Sequence, residues 1–203
     1  MQTKKVAIDM NTLMKDCYEM QLTNIRETQA MLTPELMSKV VEQIQQANKI
    51  YVVGMRSSFT AAYALSQGLN QLLGNCDLAA NSQGTFEDKV LDISEEDLLI
   101  AISFPRYSKY TVELFKALKE ERNVNTIAIT AEEDSPMQMH ADILIPCKHN
   151  SLSLHNSMSG AMFVVELILT AISSSMPEKT KMRLNEAAGI FRKLKFHLQY
   201  SEE

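Results

Sequence analysis

Ile50-Tyr51-Val52-Val53-Gly54-Met55-Arg56-Ser57-Ser58-Phe59-Thr60 is the stretch whose reading decides the fold. Its first four residues are apolar and mostly β-branched, and Gly54 ends the run. A short continuous apolar run of this kind is a strand covered on both faces, as parallel strands are. Residues 55–60 then read as a turn. Residues 61–73 read as a helix closed by Gly74, because glycine accepts the left-handed conformation of a helix C-cap. The alternation continues downstream, with strands at 77–80, 98–103, 126–130 and 142–146 and a helix at 112–121. A long apolar helix at 158–174 and an amphipathic one at 180–198 follow. Upstream, Thr33-Pro34-Glu35 is a helix start: a hydroxyl cap, proline at the first helical position and an acid in the first turn. Leu36, Val40, Val41, Ile44 and Ala47 follow at helical spacing. Strands alternating with helices predict a parallel sheet with helices on both faces. Right-handed crossovers put every strand's carboxyl end on one edge of it.

The chain has 203 residues, 45% of them hydrophobic and 22% charged, which suits one substantial core and excludes a disordered chain. Lysine and arginine number 20 against 25 acids, so the net charge is −5. A negative balance argues against a stand-alone nucleic-acid binder, which relies on a positive field. Cys17, Cys76 and Cys147 form neither a CxxC pair nor a disulfide framework. The four histidines show no zinc spacing, so no metal and no cofactor are expected. No apolar run reaches the roughly 20 residues of a membrane span, and no signal core follows Met1. A cytoplasmic location without membrane contact is the expectation. Residues 1–32 read as a polar helical arm that packs on something else, with apolar positions at Ile8, Leu13, Met14 and Tyr18. Residues 33–203 read as a single domain.

Two strand-to-helix loops carry the chemistry. One is Gly54–Thr60. The other is Ser103-Phe104-Pro105-Arg106-Tyr107-Ser108-Lys109-Tyr110-Thr111. Both lie at the carboxyl edge of the sheet, where open α/β folds bind ligands. Both hold hydroxyls and an arginine beside a helix N-terminus, whose free N–H groups and positive dipole end favour anions. The first loop lacks the second glycine and the lysine of a nucleotide-hydrolysing loop. Arg56 and Phe59 occupy positions that glycines hold in a dinucleotide fingerprint. A small phosphorylated molecule is the remaining option, although each hydroxyl taken alone can serve as a helix cap. His155 lies in the polar stretch 151–157 after the last strand, on the same edge. An aldose–ketose isomerase would need a general base near the substrate carbons. Glu87, Glu113, Glu166, His149 and His155 are the choices, and no acid–base pair emerges from their spacing. No catalytic residue is assigned.

These residues carry a resemblance. Residues 50–73 are similar to the first strand, Gly-x-x-Ser-Ser turn and helix of the SIS (sugar isomerase) domain, and 98–113 to its Ser-x-Ser-x-x-Thr phosphate loop. The form Ser103–Ser108 resembles that of RpiR/MurR-type transcriptional regulators, as does the stretch 126–142. The resemblance covers roughly residues 33–176. It implies a three-layer α/β/α sandwich with a five-stranded parallel sheet, flavodoxin-like in architecture, forming a homodimer or homotetramer that binds a phosphosugar. By the same resemblance Ser57 and Ser58 sit at the first loop, and Ser103, Ser108 and Thr111 hold the phosphate. Arg56 and Arg106, as charged donors on the two loops, and His155, from its place on the ligand edge, complete the expected ligand contacts. The common second loop is Ser-x-Ser-Gly-x-Thr, whereas Pro105-Arg106-Tyr107 stand here. DNA would be reached only through a helix-turn-helix domain absent from this chain. The expected role is therefore effector sensing, with a sugar-phosphate isomerase as the alternative.

Overall fold

The computed structural model describes residues 9–79, 91–131 and 134–194, with Phe191 described by its backbone alone. Helices α1 (Met10–Met31) and α2 (Pro34–Gln46) precede strand β1 (Ile50–Gly54) and helix α3 (Ser58–Leu73). Strands β2 (Cys76–Leu78) and β3 (Leu98–Ile102) come next, then helix α4 (Lys109–Arg122) and strands β4 (Asn125–Thr130) and β5 (Ile143–Pro146). Helices α5 (Ser159–Ser175) and α6 (Pro177–Lys193) complete the described chain.

The five strands form one sheet in the order β2-β1-β3-β4-β5, every pair parallel. This is the doubly wound, flavodoxin-like order. All residues of β1 are buried, as its apolar run requires. Alternate side chains serve opposite faces. Ile50 and Val52 meet Leu65 and Leu69 of α3 and Val164 and Ile168 of α5 in one core. Tyr51 and Val53 meet Phe115 and Leu118 of α4 in the other. The expected three layers are therefore present.

Caps follow the sequence signals. Thr33 Oγ1 accepts the Leu36 N–H at 3.1 Å, with Pro34 at the first position of α2. Gly74 ends α3 at φ 83°, and Asn123 ends α4 at φ 52°. The last helix begins at Pro177, earlier than the expected 180. Thr180 is instead buried in its first turn, donating its hydroxyl to the Met176 carbonyl. Among the described residues no single helix is long and apolar enough to cross a membrane, and no three His, Cys, Asp or Glu side chains gather to hold a metal.

Candidate functional site

The chain leaves β1 towards β2 on one side and β3 towards β4 on the other. Where these connections part, at the carboxyl ends of β1 and β3, a crevice opens, the position at which such sheets bind ligands. A small cleft of about 160 Å³ lies there. The loop after β1 lines it with Met55, Arg56, Ser57 and Ser58. The loop after β3 adds Ser103, Phe104, Pro105, Arg106 and Ser108. His155 and Asn156 come from the loop after β5.

Each hydroxyl is held differently. Ser57 stands at the N-cap position of α3 but has helical dihedrals and makes no side-chain cap. Ser58, in the first turn, is buried. Ser103 is 2% exposed, its N–H donating to the Ile129 carbonyl at 3.2 Å and its carbonyl accepting the Thr130 hydroxyl at 2.7 Å. The sheet thus fixes its backbone, while its own hydroxyl has no partner among the described residues. Ser108 caps α4, accepting the Thr111 N–H at 3.4 Å. An accepting hydroxyl still has its proton to donate.

Thr111 does not line the cleft. It is fully buried, and its hydroxyl lacks a partner among the described residues. Three positions past the cap, its side chain has turned into the protein. The other seven expected residues meet at one cavity. Sequence reasoning missed Asn156, adjacent to His155 in the same polar loop. Its Nδ2 donates to the Pro105 carbonyl at 3.0 Å.

Both arginines adopt left-handed dihedrals, φ 58° at Arg56 and φ 64° at Arg106. A side chain with a Cβ is strained there by about 1–2 kcal/mol, and such strain concentrates at functional loops. From Ser103 to Ser108 the spacing equals that from the first serine to the threonine of Ser-x-Ser-Gly-x-Thr. Arg106 falls on the glycine and takes the backbone angle that glycine would take. Its guanidinium donates to the Leu154 carbonyl, tying the second loop to the third. Arg56 is exposed and has no such tie among the described residues. Arg56→Gly is expected to raise unfolding free energy by up to about 1 kcal/mol, strain relief exceeding glycine's entropic cost. The same variant is expected to weaken anion binding roughly tenfold, the scale of a lost charged hydrogen bond. Urea melts and anion titrations of one sample check both.

The electrostatics are one-sided. Two guanidiniums and four serines line the cleft, and among its described lining residues there is no carboxylate. Glu113 and Glu166 are exposed, on α4 and α5. Glu87 lies outside the described residues. His149 stands behind Phe104, ring centroids 5.4 Å apart, and burial pushes its pKa below the ordinary histidine value. His155 is exposed, its Nδ1 2.9 Å from the Ser153 hydroxyl.

The SIS domain family model matches residues 43–173. The chain is 28% identical over 136 residues to an isomerizing glutamine–fructose-6-phosphate aminotransferase of Pyrobaculum aerophilum, covering 66% of this chain and 21% of that protein. It is 24% identical over 148 residues to an uncharacterized HTH-type transcriptional regulator of Haemophilus influenzae, covering 71% and 51%. It therefore spans between a fifth and a half of these curated relatives. Among solved structures, the sugar isomerase domain of an RpiR transcription factor from Sphaerobacter thermophilus superposes with a TM-score of 0.81 at 28% identity, covering 87% of this chain and 98% of that one. The Vibrio vulnificus NanR protein, complexed with ManNAc-6P, gives 0.77 at 17% identity, covering 90% and 69%. The matched span runs from α2 to α5 and includes both loops and the sheet between them, so the chain belongs to the SIS domain family.

Proposed function

We propose that this chain is the phosphosugar-sensing part of an RpiR-type transcriptional regulator of carbohydrate metabolism. The observation that carries the reading is the cleft at the β1/β3 switch point, lined by serines and arginines without a described carboxylate. Ser57, Ser58, Ser103 and Ser108 donate to the phosphate, Arg56 and Arg106 supply positive charge, and the sugar extends towards His155 and Asn156. Likeness to the RpiR domain and to NanR supports the role. Residues 33–203 form the binding domain, which works as a homodimer or homotetramer in the cytoplasm. Residues 1–32 form the arm towards a DNA-binding domain. The ligand acts by binding one arrangement of subunits better than another.

An isomerase is the second reading, favoured by one observation: His155 is a titratable group on the cleft wall and could serve as the base that such chemistry needs. One thermal-shift panel tests both. ManNAc-6P, arabinose phosphate, other sugar phosphates, the unphosphorylated sugars and inorganic phosphate are compared. A ligand at about 100 times its Kd stabilises by roughly 2.7 kcal/mol, a readable shift. A phosphorylated sugar is expected to shift the midpoint and to be recovered unchanged. Turnover of that sugar would establish the isomerase instead. No shift with any phosphorylated sugar would overturn both readings.

A further inference from the structure

The protein grips α1 by polar groups. The fully buried residues of this helix are Asn24 and Thr28, four positions apart and so on one face. Of its apolar residues, Met10, Leu13, Met14 and Tyr18 are exposed, and Met20, Leu22, Ile25 and Met31 are half-buried. Burying an amide or hydroxyl is costly unless it is paired, and both are paired with one segment. Asn24 Nδ2 donates to the Asn150 carbonyl at 2.7 Å, and its Oδ1 accepts the Asn150 N–H at 3.1 Å. Thr28 Oγ1 accepts the Lys148 N–H at 3.0 Å. Three residues before Asn24, Gln21 Oε1 accepts the Ser157 hydroxyl at 2.6 Å. At the same junction, a Cβ added to Gly160 would lie 2.4 Å from the Lys148 carbonyl oxygen and 2.7 Å from Thr28 Oγ1. Glycine is what lets the start of α5 close on the Lys148 backbone and the Thr28 hydroxyl.

All these bonds end on residues 148–157, the loop that brings His155 and Asn156 to the cleft. Its other side is tied to the second ligand loop through Arg106–Leu154 and Asn156–Pro105. A helix docked by apolar burial alone would bury its leucine and isoleucine completely, and Leu22 and Ile25 are only half-buried. Hydrogen bonds to main-chain groups fix instead the place and register of a loop.

We infer that Gln21, Asn24 and Thr28 are positioning residues for the cleft: α1 is the template that holds segment 148–157 against the bound molecule. The inference rests on the phosphosugar reading and adds its route of regulation. If ligand prefers the loop as α1 holds it, ligand strengthens α1 docking by the same factor, since linkage is reciprocal. The arm thereby reports occupancy of the cleft.

The test compares Thr28→Val, which keeps the shape and removes the acceptor, with Thr28→Ser, which restores it. Amide exchange of the full chain is followed by NMR, and binding of ManNAc-6P, arabinose phosphate and inorganic phosphate by titration. Thr28→Val is expected to speed exchange across 148–157 at least tenfold and to weaken the binding probe at least fivefold. Thr28→Ser is expected to stay within twofold of wild type in both. Adding the probe to wild type is expected to slow exchange across 21–28. Unchanged affinity or unchanged loop exchange in Thr28→Val overturns the inference, and so does a Thr28→Ser variant that fails like valine. Gln21→Ala, at a half-buried position, is expected to act in the same direction more weakly, and decides the matter if Thr28→Val does not fold. If no probe binds wild type, the phosphosugar reading falls by itself. Loop exchange in the variants then decides alone whether α1 holds the segment, and unchanged exchange overturns the inference.

Discussion

Ser58→Ala combined with Ser103→Ala is expected to weaken phosphosugar binding more than a hundredfold and to leave the unliganded protein within about 1 kcal/mol of wild-type stability. Both residues are buried at the cleft, and Ser103 is anchored by its backbone. Its hydroxyl has no partner among the described residues, so the unliganded protein loses little when it goes. A bound phosphate loses two donors. A hydrogen bond to a charged group contributes about 1.5–3 kcal/mol, so two contribute about 3–6 kcal/mol, and each 1.4 kcal/mol is tenfold in Kd. Ser108→Ala is expected to behave differently. That hydroxyl caps α4, and removing a serine cap costs about 1 kcal/mol, so stability and affinity fall together. Titration calorimetry and chemical denaturation separate the two patterns. A double variant that still binds with wild-type affinity would place the phosphate elsewhere.

What the sequence disclosed follows physical lines. β1 and β3 were legible because a strand covered on both faces must be apolar throughout, and both are. The sequence places the edge strand at 77–80, whereas it lies at Cys76–Leu78, since its limits come from pairing Cys76 with Ile50 rather than from its own pattern. The start of α6 was missed although Pro177 repeats the signal that Pro34 gave for α2. There the serines 173–175 that would mark a loop lie in the last turn of the helix before it, and only Met176 separates the two helices. Loop position made seven of the eight expected site residues legible as neighbours in space. Thr111 escaped because helical rotation, not distance along the chain, decides which side chains face the cleft. The attachment of α1 was illegible for a different reason. Reading a helix for its packing face means looking for apolar residues, and Leu13, Met14 and Tyr18 are all exposed, while Asn24 and Thr28 make the contact.

Gly54→Ala tests how tightly the sheet sets the cleft. Gly54 ends β1 where α3 begins to cross it. A Cβ there would stand 2.8 Å from the Ser58 carbonyl oxygen, 2.9 Å from the Ala62 Cβ and 3.2 Å from the Ile102 carbonyl oxygen. None of these is the end of a flexible side chain, so relief requires backbone to move. Overpacking of this kind costs about 1–3 kcal/mol. The element free to move is the first turn of α3, because Ile102 is locked in mid-sheet between β1 and β4. That turn carries Ser57 and Ser58, so the same displacement that relieves the clash pulls two hydroxyls out of the cleft. Gly54→Ala is therefore expected to lose both stability and at least tenfold in ligand affinity. Two other glycines calibrate the result. At Gly68 the nearest atoms are the methyl ends of Leu169, 2.4 and 2.6 Å away. That side chain can rotate, so Gly68→Ala is expected to cost less stability and to leave affinity unchanged. At Gly189, inside α6, nothing lies within 4 Å. Gly189→Ala is expected to stabilise by about 0.5–1 kcal/mol through helix propensity alone. Urea melts and ligand titrations of the three variants are expected to rank them Gly189→Ala, Gly68→Ala, Gly54→Ala in stability, with affinity lost in the last alone. Full affinity in Gly54→Ala would mean that the first turn of α3 does not hold the ligand.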